Sequence, residues 1–288
     1  MIRLEVGDWR ATLAPEQGGA LLSLDWRDRP VLRPTPDAVT DILETACFPL
    51  VPYANRIADG RFTFEGRSVR LPTLERFAPH ALHGDGWLSS WTVENQTASR
   101  VEMTLDWTGD AGGWPWPWRA NQIVELTGDG LSIALSITNT GDAIMPAGLG
   151  LHPYVQRHPD SRLTLSAESV WLADARQIPE RPAAPSQVAD WSAGLPLADA
   201  PFVDHAYSGW TGEAALEGGG RRVILNADPA AAWVQVYAPL DADFVCIEPV
   251  THRPDAHNAP QSETSGLLPL APGQSFSVSM ALFATDLA

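Results

Sequence analysis

Five short segments of this 288-residue chain set reactive side chains into stretches that otherwise read as apolar or strand-like. Asn55 and Arg56 follow the proline-rich apolar run of FPLVPYANRIADGRF, residues 48–62. A guanidinium offers five N–H donors in a fixed fork, suited to a carboxylate, a phosphate or vicinal hydroxyls. A salt bridge that pins a loop would use it equally well. His83 lies in HALHGDGW, residues 80–87, where Gly-Asp-Gly lets backbone approach a ligand closely, or where the ring caps a turn. His152, in GLGLHPY, precedes Pro153 and therefore sits on extended backbone. The small residues before it leave room beside its ring, although a core histidine with satisfied nitrogens fits the same pattern. Asp204, in FVDHAYSGW, follows two apolar residues and reads as a site carboxylate or as a turn aspartate. Glu248 ends the strand-like run Phe244 to Ile247. A carboxylate placed there is partly desolvated, which lifts its pKa toward that of a useful general base; the plainer reading is a strand-end charge facing water.

The elements that must position these groups are strands. Ile2 to Val6 and Trp9 to Leu13 alternate and face each other across a hairpin turn at Gly7-Asp8. Ala20 to Trp26, Arg61 to Phe64, Arg67 to Leu71, Trp91 to Gln96, Arg100 to Trp107, Ala120 to Leu126 and Leu131 to Asn139 follow. Later strands are expected at Leu163–Ser166, Ala214–Leu216, Arg222–Ala227, Trp233–Ala238, Phe244–Glu248 and Phe276–Thr285. Helical periodicity is confined to a short helix over Ala38–Thr45 and a turn over Ala256–Gln261. With 23 Gly and 25 Pro, long helices are disfavoured. Many short strands at regular spacing predict an all-β chain with very little helix, a large antiparallel sandwich or barrel in one domain over residues 1–288. No repeat of 20–50 residues suggests a propeller. The Pro-, Ala- and Asp-rich stretch Ile178–Pro201 reads as a long surface loop. Trp114-Pro-Trp116-Pro-Trp118 cannot be an ordinary central strand and reads as a ligand rim or as packing.

Composition excludes several chemistries. The formal net charge is -16, which repels phosphate backbones and anionic lipid, so neither nucleic acid nor membrane is an expected partner. All 19 basic residues are Arg. Without Lys there is no P-loop and no Schiff base to pyridoxal phosphate or to an aldolase substrate. The two cysteines, Cys47 and Cys246, form no disulfide framework. No apolar run approaches a membrane span and the first residues do not resemble a secretion signal, so a reducing cytoplasm is the expected location. The spacings of His152 with His158, and of Glu248 with His252 and His257, match no zincin helix; no metal and no cofactor are expected. Gly-x-Ser-x-Gly is absent, and Gly148-Leu-Gly150 lacks the rest of a dinucleotide fingerprint.

Taken together and in order, the five segments resemble the aldose 1-epimerase (galactose mutarotase-like) family, over essentially the whole chain. The resemblance implies a large antiparallel β-supersandwich. It also implies roles: Asn55 and Arg56 bind the sugar, with Arg56 donating to its oxygens; His83 is a substrate ligand and polariser; His152 is the general acid; Asp204 binds substrate; Glu248 is the catalytic base. The implied reaction interconverts α and β anomers of a neutral monosaccharide, an aldohexose or aldopentose, without cofactor. Alternatives are a hexose-6-phosphate mutarotase, which needs extra cations such as Arg76 or Arg119, a non-catalytic carbohydrate-binding protein on the same scaffold, and a lyase or isomerase on a related sandwich.

Overall fold

Alternation with a period of two is the dominant pattern of this chain, and it folds accordingly into antiparallel strands. The structure is a computed structural model that describes residues 1–38, 40–110, 112–260 and 263–287. Two large sheets account for most of it, one of eleven strands and one of nine. Helical structure among the described residues is limited to 3-10 turns of three residues each. The described residues are all-β and antiparallel with very little helix, as expected.

Five strands of the larger sheet carry the site: β1 (Cys47–Leu50), β2 (Gly150–Gln156), β3 (Val203–Ser208), β4 (Trp233–Ala238) and β5 (Phe244–Val250). They lie side by side in the order β1-β2-β5-β4-β3. On one face Leu151, Val155, Val203, Val234, Val236, Val245 and Ile247 join the main core. That core continues through Leu135, Ile137 and Leu282 of the nine-stranded sheet. The intervening residues of the same strands point to the opposite face. There Phe48, Tyr154, Trp233 and Cys246 form a second, smaller apolar cluster, and His152, Asp204, Gln235 and Glu248 share that side by alternation. A slip of one residue in any of these strands would bury the polar set in the core.

Most expected strands form within a residue or two of their expected ends. Several elements differ. Ala38–Thr45 provides only the 3-10 turn Ile42–Glu44, with Val39 outside the described residues. Ala256–Gln261 provides the 3-10 turn Ala256–Asn258, with Gln261 outside the described residues. The supposed loop Ile178–Pro201 contains a strand, Pro179–Ala183, which pairs with Ser169–Ala173, and a short pairing at Leu195–Pro196. Pro179 and Pro182 hid an edge strand, where a missing N–H costs no ladder bond. Strands β1 and β2 were also missed, because strands buried on both faces lose the polar alternation that marks a surface strand; the half-buried β3 was missed with them. Trp114, Trp116 and Trp118 are buried in the main core, so the tryptophan run is packing.

Candidate active site

Glu248 does not end its strand. It sits inside β5, which continues through Pro249 and Val250, and it is only 2% exposed. On β2, Gly150 faces Val250 and Tyr154 faces Cys246, so His152 falls opposite Glu248. On the other flank Gln235 of β4 is registered directly with Glu248. The sheet therefore delivers an imidazole and an amide to the two sides of one buried carboxyl. His152 Nε2 lies 3.2 Å from Glu248 Oε1. Glu248 Oε2 and His152 Nδ1 have no partner among the described residues. The His152 ring is held between Phe48 and Tyr154, with ring centroids 4.6 and 4.8 Å away in stacked orientation.

The remaining residues come from two loops beyond β1. Asn55 and His83 both adopt left-handed backbone, with φ of 57° and 61°. They are tied reciprocally: His83 N–H donates to the Asn55 carbonyl (3.0 Å), and Asn55 N–H donates to His83 Nδ1 (3.1 Å). Because Nδ1 accepts, the proton of the neutral ring is on Nε2. Gly84 makes this crossing possible. A Cβ there would lie 2.5 Å from the Val51 carbonyl oxygen, so the close approach expected of the Gly-Asp-Gly segment is to the chain itself. Asn55 Oδ1 accepts from the Arg56 backbone N–H (2.8 Å) and from its Nη1 (3.3 Å), which aims the guanidinium. Arg56 Nη2 then meets Asp204 Oδ2 at 3.3 Å. Asp204 Oδ1 accepts from Gln235 Nε2 at 2.6 Å.

All six residues singled out from the sequence line one cavity of ≈ 370 Å³: Asn55, Arg56, His83, His152, Asp204 and Glu248. Leu43, Phe77, Leu82, Tyr154, Phe202 and Tyr237 complete the lining, together with one further amide, Gln177. Gln235 was not anticipated, although a lone amide in the apolar strand WVQVYA is a readable signal. The small residues before His152 serve another ring. A Cβ on Gly148 would fall 1.9 Å from His252 Cδ2, so Gly148 makes room for His252 and not for His152.

Burial sets the charge states. It pushes the Glu248 carboxyl well above the usual range, reinforced by Asp204 and opposed by Arg56. It pushes the His152 imidazole down, with Arg33 adding to the effect. The two groups thus compete for one proton at hydrogen-bonding distance, and their titration belongs to the pair. His83 is held neutral by burial first, then by His152 and Arg56. A metal could draw on His152, Cys246 and Glu248, whose ligand atoms lie within 4.8 Å of one another. Burial pushes the Cys246 thiol far up, away from the thiolate a metal needs. What the arrangement supplies chemically is a base and an acid sharing one proton, a neutral N–H donor beside them, and an Arg–Asp–Gln set able to bind hydroxyls.

The profile of the aldose 1-epimerase family matches residues 2–282 of the chain. The uncharacterised protein YphB of Escherichia coli K12 is 34% identical over 285 residues, 93% of either chain. Among solved structures, a candidate aldose 1-epimerase from Escherichia coli K12 superposes with a TM-score of 0.89 at 30% identity, covering 99% of this chain and 98% of that one. A galactose mutarotase-like protein from Clostridium acetobutylicum gives 0.88 at 21% identity, covering 99% and 95%, a likeness of fold.

Proposed function

The chain belongs to the aldose 1-epimerase family, and on that premise we propose that it is a single-domain mutarotase acting on a neutral aldose. The observation that carries this reading is the buried Glu248–His152 pair at 3.2 Å, open to a cavity that also presents Arg56, His83 and Asp204.

A cyclic aldose bears its hydroxyl oxygen O1 and its ring oxygen O5 on the same carbon. An acid and a base one hydrogen bond apart can therefore serve both oxygens at once. Glu248 as carboxylate takes the proton from O1. The O1–C1 bond becomes a carbonyl as the C1–O5 bond breaks. His152, carrying the proton of the pair, delivers it to O5. Rotation about C1–C2 and the reverse transfers close the ring on the other face. The total number of protons is unchanged, so the reaction needs no other reagent. The His83 Nε2–H stabilises charge developing on oxygen, and Arg56, Asp204 and Gln235 hold hydroxyls. Each proton-transfer partner contributes about 10²–10⁴-fold.

The electrostatics support a neutral substrate. Arg56 is the one cationic side chain among the described lining residues, and it already faces Asp204. The two arginines considered for a phosphate are engaged elsewhere, Arg76 with Asp41 and Arg119 with Asp106. A phosphate dianion would enter beside Asp204 and Glu248 with no unpaired cation to receive it. The presence of both proton partners supports a catalyst over a pure binder, which needs neither. The deciding experiment is polarimetry on freshly dissolved α-glucose, α-galactose and a pentose, with product analysis. Accelerated equilibration to the same anomer mixture is expected; a new product would assign the site to lyase or isomerase chemistry instead.

A further inference from the structure

The rim of the cavity holds one polar side chain that the acid–base chemistry leaves unused. Gln177 sits at the tip of the hairpin between strands Ser169–Ala173 and Pro179–Ala183. That hairpin pairs with β3, the strand of Asp204. The tip is built around one residue. Asp174 N–H donates to the Ile178 carbonyl (2.9 Å), and Gln177 N–H donates to the Asp174 carbonyl (3.0 Å). The Asp174 carboxylate accepts from the backbone N–H of Arg176 (2.8 Å) and of Ile178 (2.9 Å). Arg176 reaches out to form an ion pair with Asp59, fastening the tip to the segment that follows Arg56. The Asp174 and Arg176 side chains are thus committed to holding the turn in place, and the Gln177 amide is not. Its Oε1 is buried and has no partner among the described residues.

The backbone adds a second observation. Gln177 has φ of 63°, a conformation unfavourable for a residue with a Cβ. Among the described lining residues, Asn55 and His83 share it, at 57° and 61°. Strain of this kind persists where the surrounding structure imposes it and gathers at ligand clamps. A turn needing left-handed backbone would ordinarily take Gly or Asn. Here the position carries a longer amide facing the cavity.

We propose that Gln177 is a specificity-determining residue, its amide exchanging hydrogen bonds with a hydroxyl on the part of the pyranose ring away from C1. This rests on the mutarotase reading in taking the ligand to be an aldose. With C1 seated at the deeply buried Glu248 and His152, the far side of the ring is the side that reaches the half-buried rim. An amide is matched to that task because one oxygen accepts and one nitrogen donates, so a single hydroxyl can satisfy both. A missing hydroxyl, or one in the wrong configuration, leaves the buried Oε1 unpaired and is disfavoured.

The test uses Gln177→Gly, which removes the side chain and suits the left-handed backbone, so the turn keeps its shape. KM for the best neutral aldose is expected to rise about tenfold with kcat changed less than about twofold, the mark of binding shared by ground and transition states. The series of 2-, 3-, 4- and 6-deoxy analogues then identifies the hydroxyl. For one analogue, wild type and variant should have the same KM. A KM unchanged for every sugar, or raised by the same factor for every analogue, overturns the proposal. Ligand-observed NMR titration of the same sugars measures affinity without turnover. Sugar binding that is weakened by Gln177→Gly in a protein that exchanges no anomers would retire the mutarotase reading and keep the recognition role.

Discussion

Among the buried histidines two pairs contrast: one shares a cavity with the carboxyls of Glu248 and Asp204, and the other does not. His83 and His152 line that pocket; His252 and His257 lie beyond the end of β5, His257 packed against Tyr53, Phe62 and Trp114 and His252 against His257. By burial and by charge state the groups look alike. All four rings are pushed below the ordinary histidine range, in each case first by desolvation. His252 and His152 differ in what their nitrogens meet, while neither nitrogen of His257 finds a partner among the described residues. His252 Nε2 accepts from the Ala54 backbone N–H at 3.1 Å, and its Nδ1 donates to the Arg253 carbonyl at 2.7 Å. Both nitrogens are committed to the chain, so the ring is a brace. His152 instead puts Nε2 against a carboxyl whose other oxygen is unpaired and which borders the open cavity. A perturbed pKa alone therefore does not distinguish a catalytic histidine from a structural one; a proton-exchanging partner beside empty space does.

The largest expected effect separates the two groups directly. Glu248→Gln keeps shape and polarity but cannot accept the O1 proton, and should lower kcat about 10²–10⁴-fold. His152→Asn should do the same by removing the acid. His252→Gln, which can still accept from Ala54, should stay within about tenfold of wild type. Equal losses at Glu248 and His252, measured by polarimetry on folded protein, would falsify the division. The wild-type pH profile adds detail. The reactive pair holds one proton; acid adds a second and quenches the base, while alkali removes the only one and quenches the acid. A bell-shaped kcat/KM is expected, its limbs belonging to the pair.

The brace should reveal itself in stability. Burial holds His252 at about 4 when folded, against the ordinary imidazole value of 6.5. The stability tied to its neutral form is full above pH 6.5 and is lost as pH falls toward 4, because the unfolded chain takes up a proton that the folded chain refuses. The shift corresponds to about 3 kcal/mol. Denaturant midpoints at pH 7.5 and pH 5 should differ for wild type and differ less for His252→Gln. Glu248 acts in the opposite direction, since its raised pKa is a cost that grows as pH rises above 4.5. An acid dependence untouched by His252→Gln would move the effect to the other buried rings.

Legibility in the sequence follows the same contrast. The six cavity residues could be found because each interrupts an apolar segment, and an interruption survives in one dimension. Strands with an exposed face were readable from their alternation, as Trp9–Ala14 and Arg100–Trp107 show. Strand β2 was not, since every residue from Gly150 to Val155 is buried and the pattern is continuous. Gln235 was missed because its meaning depends on register: it matters only through Glu248 beside it and Asp204 across the strand. Gln177 was missed because nothing local marks a turn residue as facing a site formed by strands far away in sequence. The role of Gly148 was misread for a related reason, as the ring it accommodates is about a hundred residues along the chain.

Gly148→Ala tests whether the brace supports the site. The new methyl would lie 1.9 Å from His252 Cδ2 and 2.2 Å from its Nε2, so the ring must move and release the Ala54 N–H. Overpacking of this kind costs about 1–3 kcal/mol, to be seen as a lowered Tm. Ala54 precedes Asn55, which aims Arg56, so the displacement should also raise KM for the sugar while the Glu248–His152 pair and its pH profile stay as they were. A lowered Tm with unchanged KM would show that the brace stabilises the fold without positioning the loop.

The smallest expected effect concerns charge. Asp204→Asn keeps one oxygen for Arg56, and its new amide N–H can be accepted by the Gln235 oxygen once that amide flips, so the geometry of the pocket wall should survive. It removes the negative charge that offsets the guanidinium 3.3 Å away. KM for a neutral aldose should rise by about fivefold, the loss of one good hydrogen bond. For a hexose 6-phosphate the change should run the other way, because the variant gives the phosphate a freed cation and one fewer repelling carboxylate. The ratio of the two KM values, wild type against variant, isolates the charge from any general loosening of the pocket, since loosening would weaken both sugars alike. If the phosphorylated sugar is preferred by wild type and weakened by Asp204→Asn, the phosphate is being read by groups outside the Arg56–Asp204 pair, and the neutral-substrate assignment falls with it.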